Sequence, residues 1–223
     1  MQCDAIILAG GSSSRFGENK LAVDLGGTPV FGWSLAAFED VLSVHRIVIV
    51  AGAGLELWAE SMGQTFAPTK FSRVVAGGAR RRDSVEAGLR VCASRYVAIH
   101  DGARPLVAVD DIKRCIAATE DKPGAILAVP VVDTVKEAAS GKIVGHPDRA
   151  RLWAAQTPQV VLRQAWLDAA AASDNDETDD AAMLSRLGLE CVVVEGSPEN
   201  IKITRPLDLA FAELILSRRV ANP

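Results

Sequence analysis

The sequence predicts an α/β fold: a mostly parallel sheet covered by helices on both faces, with a protruding β-hairpin arm. Three observations carry that reading. Short apolar runs recur without polar alternation, as strands buried on both faces require. Helical patterns separate them, which suits crossovers between parallel strands. One polar, charged stretch, 131–156, breaks the alternation. The architecture expected is therefore Rossmann-like.

Taken in order, residues 5–8 read as the first strand, ending in a loop of glycines and serines. Thr28-Pro29 reads as a helix start, a capping hydroxyl followed by proline in the first turn, and opens a helix over 29–38. Further strands are expected at 47–50, 74–76, 96–100, 125–129 and 191–194. Helices are expected at 55–62, 84–93, 110–118, 163–172, 179–186 and 206–219. Within 131–156, Thr134-Val135-Lys136-Glu137, a turn at Gly141 and Lys142-Ile143-Val144 spell a short hairpin leaving the sheet. A two-stranded hairpin is marginal alone, so this arm is expected to pack on a second copy of the chain.

Composition excludes several classes. The 223 residues suit one large domain or a domain with a small appendage, and 49% hydrophobic residues supply a core. No apolar run approaches the roughly 18 residues of a membrane span, and the start lacks a basic region followed by a greasy segment. Cys3, Cys92, Cys115 and Cys191 show no paired spacing, against zinc or a disulfide framework and in keeping with a reducing cytoplasm. A net charge of −4 gives no general reason to bind nucleic acid.

In such sheets ligands bind outside the carboxyl ends of the strands. The loops after Leu8, Ala76, His100 and Val129 are therefore expected to face one crevice. The first, Ala9-Gly10-Gly11-Ser12-Ser13-Ser14-Arg15 through Lys20, combines close backbone approach and an anion-binding nest with two cations. That is the equipment for a nucleoside triphosphate. No Gly-Lys-Ser/Thr follows, and the glycine spacing is not G-x-G-x-x-G, so neither a Walker loop nor a dinucleotide fingerprint is present.

The second loop, Gly77-Gly78-Ala79-Arg80-Arg81-Arg82-Asp83-Ser84, leads into a helix that Asp83 or Ser84 can cap. At most one or two of its arginines need point inward. In the third, His100-Asp101-Gly102-Ala103-Arg104-Pro105, Asp101 is well placed for Mg²⁺ or a ribose hydroxyl. His100 is expected to pack or hydrogen-bond at the strand end rather than act as a base.

Gly77-Gly78-x-x-Arg81-x-x-Ser84-Val85, His100-Asp101-Gly102-Ala103-Arg104-Pro105 and Pro130-Val131-x-Asp133-Thr134-x-Lys136 follow the first loop in order. Asp148-Arg149-x-x-Leu152-Trp153, Thr157-Pro158-Gln159, Thr178-Asp179 and Asn200-Ile201-Lys202-x-Thr204-x-Pro206 complete the set. Over nearly its whole length the chain resembles the 2-C-methyl-D-erythritol 4-phosphate cytidylyltransferases.

The resemblance implies a single nucleotidyltransferase domain over 1–223 that joins CTP to a polyol phosphate, releases pyrophosphate and uses Mg²⁺ or another divalent cation. It implies that Arg15 and Lys20 stabilise charge on the α-phosphate and the leaving pyrophosphate. Ala9, Gly10, Gly11, Gly78 and Ser84 would line the cytidine site, and Asp101 would serve the nucleotide and its metal. Arg104, Thr134, Arg149 and Lys202 would position the second substrate's phosphate. Thr134 and Arg149 would reach a neighbouring subunit's site in a homodimer. Leu8-Ala9-Gly10-Gly11 and Asn19-Lys20-Leu21 depart from the family's usual Pro-Ala-Ala-Gly and Pro-Lys-Gln, toward the molybdopterin nucleotidyltransferases. The nearest alternative activity is cytidylyl transfer to ribitol 5-phosphate.

Overall fold

The computed structural model describes residues 2–10, 19–172 and 174–221. Its centre is a seven-stranded sheet built from β1 (Cys3–Ala9), β4 (Val44–Ala51), β5 (Phe71–Ala76), β6 (Tyr96–Asp101), β7 (Gly124–Pro130), β10 (Trp153–Leu162) and β11 (Val192–Glu195), in the order β11-β7-β10-β6-β1-β4-β5. β1 lies parallel to β4 and β6, and β4 to β5. Every residue of β1 is buried, which explains the unbroken apolar run from Ala5 onward. Cys3, Ala5, Ile7 and Ala9 join one core layer, and Ile6 and Leu8 the other.

Helices α1 (Val30–Glu39), α2 (Glu56–Phe66), α4 (Val109–Ala117) and α7 (Pro206–Ala221) pack on the first layer. α3 (Arg81–Val91), α5 (Arg163–Ala172) and α6 (Asp180–Ser185) pack on the second. None of the described helices is long and apolar enough to cross a membrane.

Three expectations need correction. Thr28 does not cap α1: it pairs with Leu25 in a small ladder of β2 (Asp24–Leu25) with β3 (Thr28–Pro29), and the helix opens at Val30 with no side-chain cap. The first strand of the arm's hairpin starts at Glu137 rather than spanning 134–137. β8 (Glu137–Ala139) and β9 (Lys142–Gly145) form the hairpin; Ser140 and Gly141 both have positive φ, 49° and 77°, as a primed two-residue turn demands. The chain re-enters the sheet at Trp153.

The segment from there is β10, a strand absent from the expected set and antiparallel to both neighbours, β6 and β7. Its polar stretch Gln156-Thr157-Pro158-Gln159 disguises it. Pro158 falls within the register irregularity between Ala155 and Gln159, where a residue lacking an N–H is tolerated.

Candidate active site

A cleft of about 710 Å³ opens at the carboxyl ends of β1, β4, β5 and β6, a size that suits a small-molecule ligand. Gly10, residues 77–81 and residues 101–103 line it from three of the four expected loops. Gly52 and Ala53, after β4, contribute unexpectedly, and Lys202 and Thr204 arrive from the segment after β11. The fourth expected loop, after Val129, lines none of it; it leads into the arm.

Close approach explains the glycines. A Cβ on Gly78 would stand 2.3 Å from the Asp83 Cβ, and one on Gly102 2.4 Å from the Phe31 ring. The Gly78 N–H donates to Ser84 Oγ at 3.1 Å. Asp83, the third residue of α3, accepts from the Arg80 N–H at 3.1 Å, so the helix start belongs to Asp83 and the loop to Ser84.

Asp101 is the electrostatic centre, its side chain 13% exposed. Lys202 Nζ lies 2.7 Å from its Oδ2, Arg104 Nε 3.9 Å from the same oxygen and Arg81 Nε 3.9 Å from Oδ1. Burial alone would raise its pKa, but the charges of Lys202, Arg81 and Arg104 outweigh it and hold the carboxyl at about 2.

Lys202 reaches Asp101 because its segment is anchored on both sides. The fully buried Asn200 amide donates to the Thr157 carbonyl at 3.0 Å, and the Ile203 N–H donates to the Ala103 carbonyl at 2.8 Å.

Behind Asp101 lies a neutral relay. The Asp101 N–H donates to Thr157 Oγ1 at 3.1 Å, and Thr157 Oγ1 sits 2.9 Å from His100 Nδ1. His100 Nε2 sits 3.2 Å from the Arg104 carbonyl. One arrangement satisfies all three contacts: Nε2–H donates to the carbonyl, and Nδ1 accepts from the hydroxyl. His100 is fully buried, and desolvation drives its pKa down to about 4. The structure therefore gives His100 the packing role expected of it and leaves it no base chemistry at neutral pH.

Of the residues singled out from sequence, Gly10, Lys20, Gly78, Ser84, Asp101 and Lys202 line this cleft. Ala9 is buried immediately beneath, in the last position of β1. Arg104 stays behind the wall, its Nη1 donating to the Asn200 carbonyl at 2.7 Å. Thr134 and Arg149 are exposed on the arm and do not reach the cleft of their own chain; Arg149 Nη1 donates to the Val132 carbonyl at 2.6 Å. Gly11 and Arg15 lie outside the described residues.

Arg81 is the residue that sequence reasoning left undecided. Of the three consecutive arginines, Arg80 and Arg81 line the cleft, and Arg81 has its Nη2 2.7 Å from Asp180 Oδ2. Arg82 is buried on the Ala170 carbonyl, and Arg80 pairs with Asp83 and Asp174. The signal for Arg81 was its place in the Gly77-Gly78-x-x-Arg81 pattern; its partner, 99 positions away, gave none.

The cleft thus offers cations around one ionised carboxylate, an arrangement for binding polyphosphate and neutralising charge that develops on it.

Comparison with known proteins agrees. A family model described as IspD, 2-C-methyl-D-erythritol 4-phosphate cytidylyltransferase, matches residues 3–218. Two relatives bearing that enzyme's name, from Synechococcus elongatus and Streptomyces coelicolor, are each 41% identical to this chain. The first match covers 96% of this chain and 96% of the relative; the second covers 98% and 86%. A crystal structure of 4-diphosphocytidyl-2C-methyl-D-erythritol synthase from Anaerococcus prevotii superposes with a TM-score of 0.86 at 27% identity, over 97% of this chain and 99% of that one.

Proposed function

Since the chain belongs to the 2-C-methyl-D-erythritol 4-phosphate cytidylyltransferase family, we propose that this cleft binds CTP and transfers its cytidylyl group to 2-C-methyl-D-erythritol 4-phosphate. An oxygen of the polyol phosphate attacks the α-phosphorus of CTP. The bond from that phosphorus to the bridging oxygen breaks, and pyrophosphate leaves with the electron pair. A phosphate monoester is largely ionised at neutral pH because its second pKa is about 6, so no side-chain base is required. Catalysis then consists of holding the two phosphates in line and neutralising charge.

The single observation that carries this reading is the convergence of Lys20, Arg81 and Lys202 on one glycine-lined cleft. Lys20, with Arg15, is assigned to the α-phosphate and the leaving pyrophosphate. Gly10, Gly11, Gly78 and Ser84, over Ala9, are assigned to cytidine. Lys202, with Arg104 behind it, is assigned to the second substrate's phosphate.

The residues fit a divalent cation that arrives with the nucleotide. Asp101 offers one ionised, hard-oxygen carboxylate, and the described residues contain no group of three or more acidic, His or Cys side chains able to cage a metal. Mg²⁺ is commonly held in this way, by one or two carboxylates and substrate phosphates. When bound, it neutralises triphosphate charge, and Asp101 is the residue that would hold it.

The arm is assigned to a second copy of the chain, whose cleft its Thr134 and Arg149 complete. Val132, Ile143 and Val144, 81%, 59% and 59% exposed, supply apolar surface for that contact. The proposed setting is the cytoplasm, which suits four free cysteines.

Pyrophosphate release is the decisive assay. With CTP and Mg²⁺ the purified protein is expected to release it on addition of methylerythritol phosphate and not of ribitol 5-phosphate. The reverse preference would replace this reading.

A further inference from the structure

Asp180 lies outside the cleft, yet it anchors the cleft's charged wall. Its side chain is 1% exposed, and its two oxygens are used separately. Oδ1 accepts from the Trp166 indole N–H at 3.2 Å, and Oδ2 accepts from Arg81 Nη2 at 2.7 Å. Its backbone N–H donates to Gln159 Oε1 at 2.9 Å, an oxygen that also accepts from the Ala181 N–H at 3.1 Å. Asp180 is thereby located from three elements: β10 through Gln159, α5 through Trp166 and α3 through Arg81.

The start of α6 does not need this buried charge. The cap of that helix is Asp179, whose side chain accepts from the Ala182 N–H at 2.8 Å. A buried carboxylate is costly unless a cation answers it, and here the cation is Arg81, whose Nε lies 3.9 Å from Asp101 Oδ1. Asp180, Arg81, Asp101 and Lys202 form a line of alternating charge running from the second core layer to the cleft. Arg81 on its own would have several rotatable bonds with which to turn toward solvent.

We propose that Asp180 is a positioning residue for nucleotide binding: it fixes Arg81 in the cleft wall beside Asp101, where the guanidinium meets the triphosphate. This rests on the cleft being the CTP site.

The test is a double-mutant cycle read by calorimetric titration of CTP with Mg²⁺ into Asp180→Asn, Arg81→Met and the double variant, with thermal unfolding followed in parallel. Asparagine keeps the shape and an acceptor for the indole while removing the charge. Each single change is expected to weaken CTP about tenfold, the scale of one charged hydrogen bond. The double variant should be no weaker than the worse single one, because both changes remove the same interaction.

Undiminished affinity in Asp180→Asn, or two losses that multiply, would overturn the proposal. Should Asp180→Asn fail to fold, Asp180→Glu, which displaces the charge without removing it, takes its place in the cycle. It should weaken CTP in the native background and not on Arg81→Met; equal losses on both would refute the role. Failure of the unaltered protein to bind CTP would instead overturn the assignment of the cleft.

Discussion

At the scale of single residues, Asp101 and His100 both withdraw stability as pH falls, in different pH windows. The Asp101 pKa is depressed from 3.8 to about 2, so its contribution to stability is complete above about pH 4 and is lost as pH falls through 2. His100 is depressed from 6.5 to about 4. Between those values the unfolded chain takes up a proton that the folded chain refuses, so stability drains away as pH falls from 6.5 toward 4, by about 3 kcal/mol at most. Urea unfolding across this window should show the decline, and His100→Asn, which cannot titrate, should flatten it. An unchanged slope would mean that His100 is not the group responsible. For the chemistry, Lys20→Met is expected to lower the single-turnover rate far more than CTP affinity, because a charge that matters most in the transition state shows in the rate. Normal single-turnover chemistry would remove Lys20 from the mechanism.

Among the elements, the turn from β5 into α3 lines the cleft with glycine backbone. Gly77 and Gly78 pass against Ser84 and Asp83 with no room for a side chain, and the same two residues tie the turn to the start of α3. Gly78→Ala must push Asp83 aside. Overpacking of this kind costs about 1–3 kcal/mol, and here it also displaces backbone that lines the cleft. The expected result is a lower melting temperature together with a raised KM for CTP and a KM for the polyol phosphate that stays near normal. A KM for CTP equal to that of the unaltered protein would show that the turn does not contact nucleotide.

For the whole molecule, the arm is the element that the monomer does not explain. β8 is exposed throughout and β9 nearly so, although the hairpin carries Ile143 and Val144. If two copies exchange arms, Lys20→Met and Arg149→Met damage opposite halves of a shared site. Mixing the two inactive variants under exchanging conditions should then restore about one quarter of native activity, because half the dimers are mixed and each holds one intact site. No recovery in a mixture shown to contain mixed dimers would exclude the shared site. Ile143→Asp with Val144→Asp should move the sedimentation profile toward monomer, and an unmoved profile would show that this apolar surface lies outside the contact.

Much of this was legible in the residues themselves. Unbroken apolar runs mark β1, β4 and β6 because a strand covered on both faces holds a polar side chain only where a buried partner answers it, and glycine clusters mark the turns that line the cleft. The ordered motifs from Gly77 to Pro206 were enough to indicate the family. β10 was hidden because its polar centre serves buried partners: Thr157 for His100 and Asp101, Gln159 for α6. Local sequence determined which segments are strands, helices and glycine turns. Tertiary structure alone decided which charges face each other: Lys202 with Asp101, Asp180 with Arg81. Such pairing depends on distance and burial, and both arise only when elements far apart in the chain pack together.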